Sequence, residues 1–326
     1  MKKYFLILIL LSFNALLLAQ PQFSRISSMP GAFSRMGFGA RGIGMGNAMS
    51  AVTEGNLVSY YNPAISVFQE GNSFQTSYTF LSLDRSLNFL SFTRRFDLGG
   101  KKNRAAGISA GIINSGVSKI DGRDNQGLQT GDLSTSENQF FVGLGKRFSE
   151  HLAIGIEAKF YYYKLYESIT SSGVGVDIGA LYKVDDQWNI SLGISDLNSA
   201  YKWDTGPLYG TDGGGISTNK FPVLKKIGVS YSNKELGILG ALEFENSNGE
   251  TNILRAGAEY NIYEGLYLRA GIDQFNLSNS DFLPKPAAGF SYSRQIDGFT
   301  VGVDYAFMVE QYSPQDRHVV GINVIF

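Results

Sequence analysis

The run MGFGARGIGMGNAM, residues 36–49, holds the one spacing in this chain that spells a known chemistry. Gly37-Phe38-Gly39-Ala40-Arg41-Gly42 matches G-x-G-x-x-G, the loop that brings backbone against a pyrophosphate. That chemistry needs a buried strand before the loop, a helix after it and an acidic residue about 20 positions on, in an alternating α/β chain. Here Ser28-Met29-Pro30-Gly31 precede the loop and are no buried strand. Glu54 stands at a tolerable distance, but the chain that follows reads as β-structure throughout, so dinucleotide binding is not expected. His151 and His318 cannot make a three-histidine metal centre, and neither is paired with a serine nucleophile. With no Cys there is no disulfide, thiolate ligand, catalytic thiol or lipoprotein anchor. Asp121-Gly122-Arg123-Asp124-Asn125 resembles a calcium loop only at its start, and its Arg and missing final Glu make it a polar turn. Asp212-Gly213-Gly214-Gly215 is loop punctuation. The sequence therefore offers no catalytic residue, cofactor or metal site, and the glycines must serve another purpose.

Composition suggests which. Net charge is −1, which gives no electrostatic case for nucleic acid. Charged residues make up 17% of the chain, against about 25% in soluble proteins. Gly (39 residues), Tyr (18) and Phe (23) are abundant. Lys2 and Lys3, the apolar run 4–18 and the small Ala19 have the layout of a secretory signal peptide, residues 1–19. No later stretch is long and apolar enough for a membrane helix.

The elements that must position any site have a period of two. Val174, Val176, Ile178, Ala180 and Tyr182 alternate with Gly175, Asp177, Gly179, Leu181 and Lys183, and Phe299, Val301, Val303 and Tyr305 alternate with Thr300, Gly302 and Asp304. Fourteen such segments are expected, at 74–82, 86–96, 104–115, 138–148, 152–163, 174–184, 188–197, 226–233, 236–246, 252–261, 264–273, 286–294, 298–308 and 317–326. Connections after even segments are short. Most of those after odd segments are long, among them 116–137 and 198–224. A secreted sandwich has no reason to sort its loops in this way, whereas a membrane barrel does. Ten tilted residues span an apolar band of about 25 Å, and in lipid only helices and closed barrels satisfy every backbone polar group. The expected fold is thus an all-β transmembrane antiparallel barrel of about fourteen strands, residues 73–326, in the outer membrane of a Gram-negative-type bacterium.

Several residues take places in that frame. Phe148, Trp188, Phe299 and Phe326 at the short-turn ends, and Phe160 to Tyr163 at a long-loop end, are expected in interface girdles. Phe326 closes a terminal alternating strand, Val320, Ile322, Val324 and Phe326, which resembles the signal read by the barrel-assembly machinery. Glu157, Lys159, Asp177, Lys183, Arg269, Asp273 and Asp304 fall on the lumen face, with mixed signs that favour cross-lumen pairing over an ion-selective pore. The segment 20–72 precedes the first strand, contains apolar residues that want cover, and is expected inside the barrel as a plug.

The run Gly39–Val52 (GARGIGMGNAMSAV) followed by Tyr60–Ala64 (YYNPA) resembles the amino-terminal signature of FadL-type outer-membrane proteins, in particular the PorV/PorQ family. The matching residues are Gly39, Ala40, Arg41, Gly44, Met45, Gly46, Ala48, Asn62, Pro63 and Ala64, while Glu54 alone stands where that family often has two Asp. The resemblance implies a lumenal amino-terminal segment in a fourteen-stranded barrel. It further implies a component of the type IX secretion system, with secretion subunits and exported cargo as partners besides outer-membrane lipid. The alternatives are a FadL-like channel for hydrophobic small molecules and a structural barrel without transport. Arg41 would pair with an inward carboxylate such as Asp177, Asp273 or Asp304, or lie solvated near the periplasm, and Asn62-Pro63 would turn the chain from plug to wall. Tyr201, Trp203, Leu208, Tyr209 and Phe221 are the apolar material by which loop 198–225 would meet a partner or a ligand. An uptake channel would hold an apolar pocket beneath its long loops and a kinked strand near the plug, and a secretion component an exposed apolar loop patch.

Overall fold

Alternation sends one side of every segment to lipid and the other to the lumen, and a sheet with two such faces has to close on itself. The computed structural model describes residues 25–100 and 104–326; the expected signal peptide and plug residues 20–24 lie outside them. Among the described residues the strands are β1 (Asn72–Phe80), β2 (Arg85–Asp97), β3 (Ala105–Arg123), β4 (Gln129–Arg147), β5 (Leu152–Lys164), β6 (Thr170–Lys183), β7 (Trp188–Leu197), β8 (Ala200–Asp204) and β9 (Ile216–Lys220). They continue with β10 (Leu224–Asn233), β11 (Ile238–Ser247), β12 (Thr251–Tyr263), β13 (Leu266–Asn276), β14 (Lys285–Ile296), β15 (Phe299–Met308) and β16 (Arg317–Ile325). All except β8 and β9 form one closed antiparallel barrel, sealed by β1 on β16 from Ser73–Ile325 to Phe80–His318. Phe326 extends that seam by exchanging two backbone hydrogen bonds with Asn72.

Strand β5 shows the sorting. Ile154, Ile156 and Phe160 are 40–51% exposed on the lipid side, while Glu157, Lys159 and Tyr161 are at most 4% exposed on the lumen side. Phe148, Trp188, Phe299 and Phe326 are exposed at the short-turn end, with the Phe299 and Phe326 rings 5.8 Å apart. The run from Phe160 to Tyr163 divides: Phe160 and Tyr162 face lipid, whereas Tyr161 is wholly buried in the lumen and Tyr163 packs against the lumenal cluster. A β-strand cannot put four consecutive side chains into one girdle.

The expected loop 116–137 is largely a hairpin, since β3 runs on to Arg123 and β4 starts at Gln129. Both faces of that extension are polar, so no apolar alternation marks it. Backbone pairing alone carries it beyond the lipid belt. The expected loop 198–225 carries β8 and β9, paired from Ala200–Lys220 to Asp204–Ile216.

Residues 25–71 fill the lumen. The described chain begins at the long-loop end, where Ile26 N–H donates to the Gly249 carbonyl. It descends through a five-residue helix, α1 (Ala40–Gly44), then a 3-10 turn, Pro63–Phe68, and enters β1 at the short-turn end. Phe38, Ile43, Met45, Met49, Val52, Leu57, Ile65 and Val67 are at most 2% exposed. The water-free core of this protein therefore lies between plug and wall.

Candidate functional site: the plugged lumen

The glycines of the opening motif answer to this packing. Gly39, at φ +74°, is the N-cap of α1, and a Cβ on Gly46 would stand 2.6 Å from the Ile272 nitrogen of β13. The wall replies in kind. Gly107, Gly145, Gly155, Gly179 and Gly193 stand side by side in register across β3, β4, β5, β6 and β7. Against the first four lies the turn that begins at Asn62. A Cβ on Gly107 or Gly145 would come 2.5 Å from Ser66, and one on Gly155 2.5 Å from the Ala64 nitrogen. Only a wall without side chains admits backbone this close. Asn62 caps the turn by accepting from Ala64 N–H (3.0 Å), and its amide donates to Ser50 O (2.9 Å) and to the wall carbonyl of Ala180 (3.2 Å). Gly257 and Gly271, paired on β12 and β13, make the same allowance for Met45 and Gly46.

On the far side of the lumen the plug is held by charge. Arg41 Nε and Nη2 each donate to Glu259 at 2.8 Å, and Nη1 donates to the carbonyls of Glu54 (2.6 Å) and Asn56 (2.9 Å). Burial works against the Arg41 charge, and the Glu259 carboxylate beside it offsets that cost. Glu259 also accepts from Arg269, which reaches Asp304 at 3.7 Å. A second cluster centres on Arg255, which bonds Asp273 (2.7 Å), Glu243 (3.2 Å) and Glu245 (3.2 Å). Asp273 in turn accepts from plug Asn47 at 2.8 Å, and Glu243 from Ser50 N–H at 3.2 Å. These carboxylates and guanidinium groups are 10% exposed or less, and each has a partner of opposite sign.

Two strand irregularities shape the lumen. The β6–β7 register slips between Val176 and Ile178, and Asp196 takes φ +62°. That bulge turns Asp196 inward, where it receives Tyr161 OH (2.6 Å) and Lys159 Nζ (3.2 Å), while Asp177 takes Lys159 at 2.7 Å. The β12–β13 register slips opposite Arg255, with Gln274 at φ +55°.

The upper part of the β2–β6 face is aromatic. Phe38 of the plug stacks on Phe89 (5.4 Å), which stacks on Phe141 (6.4 Å), and Tyr161 carries Phe221 at 4.7 Å. Tyr201 and Phe221, at the base of the β8–β9 hairpin, thus fold into the barrel mouth, whereas Trp203 packs at its edge and Leu208 and Tyr209 are exposed. The five loop residues grouped by the sequence therefore split between lid and surface. The cavity beneath the long loops, of about 440 Å³, is not the apolar pocket expected of a channel: Arg35, Arg85, Lys285, Glu310 and Arg317 line it beside Met29 and Leu81. A second cavity of about 580 Å³ opens at the short-turn end, lined by Arg41, Glu54, Arg147 and Lys183.

Every charge assigned to the lumen by alternation faces it, with Lys183 at the short-turn opening. Arg41 pairs with an inward carboxylate, Glu259 rather than Asp177, Asp273 or Asp304, because α1 packs against the β13–β16 side with Glu259 next to it. Further lumenal charges were missed, among them Asp196, Lys226, Glu243, Glu245, Arg255, Glu259 and Arg317. The same period-two rule marks Lys226, Glu243, Glu245, Arg255, Glu259 and Arg317, whereas Asp196 reaches the lumen only through its bulge.

No family model and no curated protein matches this sequence. Solved structures do match it in fold. The monoaromatic hydrocarbon channel CymD has a TM-score of 0.63 at 13% identity, over 89% of this chain and 98% of that one. The Ralstonia pickettii toluene transporter TbuX gives 0.59 at 14% identity, over 89% and 98%. A Pseudomonas aeruginosa FadL homologue gives 0.56 at 10% identity, over 89% and 98%. This chain thus has the closed-barrel fold of FadL-type channels, a likeness of architecture that no sequence match accompanies.

Proposed function

We propose that this barrel passes small hydrophobic molecules through the outer membrane, past its plug. The observation that carries the reading is the aromatic face of the lumen, which runs from the hairpin lid at Tyr201 and Phe221 through Tyr161 and Phe141 to plug Phe38. Of the solved barrels of this fold, CymD is a monoaromatic hydrocarbon channel and TbuX a toluene transporter, and such a face gives an apolar molecule a path that avoids both charged cavities. The test is uptake of labelled toluene by liposomes that contain the purified mature chain. Saturable uptake above that of protein-free liposomes is expected, and equal uptake refutes the reading. A cross-link probes the plug, since the chain has no cysteine of its own. A Cβ on Gly228 would lie 3.5 Å from that of Ala51, within disulfide reach. Because β10 lies on the charged side, the oxidised Ala51→Cys/Gly228→Cys pair should leave uptake unchanged, and blocked uptake that a reductant restores would show that the whole plug must move.

A role in handling exported protein, implied by the PorV/PorQ-like motif, is a second reading. Leu208, Tyr209 and Ile216, exposed at the hairpin tip, favour it. Secretion subunits or cargo recovered with the barrel from outer membranes would support it, and their absence together with toluene uptake would remove it.

A further inference from the structure

Gln139 lies on β4 in the middle of the aromatic face. Its side chain is wholly buried, and neither its amide nitrogen nor its amide oxygen has a hydrogen-bond partner. Its cross-strand neighbours are Ile113 on β3 and Tyr161 on β5, and Phe141 follows it on the same face. The Tyr161 hydroxyl is engaged with Asp196, and the Tyr161 ring lies under Phe221. A leucine would fill this place at no polar cost, whereas an amide shut away from water without a partner is costly. What glutamine adds is one donor and one acceptor, set beside the rings of Phe141 and Tyr161.

The charges near it narrow the ligand. Glu137, Glu157, Asp177 and Asp196 share this side of the lumen; of the cations there, Lys159 is bound to Asp177 and Asp196, and Arg35 donates to the Pro30 and Met29 carbonyls. An anionic head would meet carboxylates, while a neutral hydroxyl can both donate to the Gln139 oxygen and accept from its nitrogen. We infer that Gln139 is the polar contact of a lumenal binding site for neutral aromatic molecules that bear one hydroxyl group, phenols being the simplest. Access runs under the hairpin base, by displacement of Phe221 and Tyr201. This inference rests on the channel reading and deepens it.

Titration calorimetry on the whole mature barrel in detergent tests it, with toluene, p-cresol and benzoate as probes. The expected result is p-cresol bound about tenfold more tightly than toluene, the scale of one buried hydrogen bond, and benzoate not bound. Gln139→Leu should bring p-cresol down to the toluene affinity or below it, because its hydroxyl then has no partner, and leave toluene unchanged, with the folded barrel verified by its heat-dependent gel mobility. Gln139→Met serves the same purpose should the leucine variant not fold. Equal affinity of the unmodified barrel for toluene and p-cresol, or parallel loss of both in the variants, overturns the inference while the channel reading stands. If none of the three binds, both fall.

Discussion

The two sides of the lumen grip the plug by opposite means. Towards β10–β16 the contacts are directional: Arg41, Arg255 and Arg269 interlock with Glu243, Glu245, Glu259, Asp273 and Asp304, and Asn47 and Ser50 join the same network. Towards β3–β6 the contact is one of fit, with the Asn62–Phe68 turn seated on four glycines. Above that seat the face is aromatic and leaves Ser109, Gln139 and Glu157 without hydrogen-bond partners. Buried ion pairs are weak net stabilisers, but once formed they are costly to break one partner at a time. Packing yields gradually, and an aromatic face can slide over an apolar guest. The contrast teaches where a passing molecule finds least resistance: the charged side anchors the plug, and the aromatic side gives way.

The largest test of that contrast is Arg255→Met, which strands the buried carboxylates of Glu243 and Asp273 and leaves Glu245 only Lys226, at 3.8 Å. A loss of about 3–5 kcal/mol is expected, read by denaturant unfolding in detergent. Adding Glu243→Gln, Glu245→Gln and Asp273→Asn should recover most of it, and a single-variant loss below about 1 kcal/mol would deny the charged side its anchoring role. Next is Gly155→Val, which forces a side chain into the Pro63–Ala64 seat. It should cost about 1–3 kcal/mol and expose residues 62–68 to protease while the barrel persists; an undisturbed turn would mean that the seat is not needed. Arg41→Met comes third, at about 2 kcal/mol, below Arg255 because Glu259 keeps Arg269. A cost equal to that of Arg255→Met would show the two clusters to be one. The smallest is Tyr161→Phe, about 1 kcal/mol, since Asp196 retains Lys159. A larger loss would place an anchor on the aromatic side and blur the comparison.

Strand count, inside-outside sorting, the closed barrel and the lumenal plug were legible in the residues. Alternation such as that from Val174 to Lys183 is a local property of a pleat between two solvents, and ten residues cannot hide which face is greasy. The hairpin extension of β3 and β4 was not legible, because a strand with water on both sides leaves no periodic mark. Nor was the seat for Asn62-Pro63-Ala64. Gly107, Gly145, Gly155 and Gly179 are unevenly spaced along the chain and become one row only when four strands adopt their register. Arg41 could be read as a buried cation seeking a carboxylate, but its partner lies 218 residues away, and helix packing against the β13–β16 side made the choice. Asp196 entered the lumen through a bulge that no spacing announces. The sequence by itself decided what each strand faces. Which residue meets which was decided by closure of the barrel, because closure alone sets the register between strands distant in the chain.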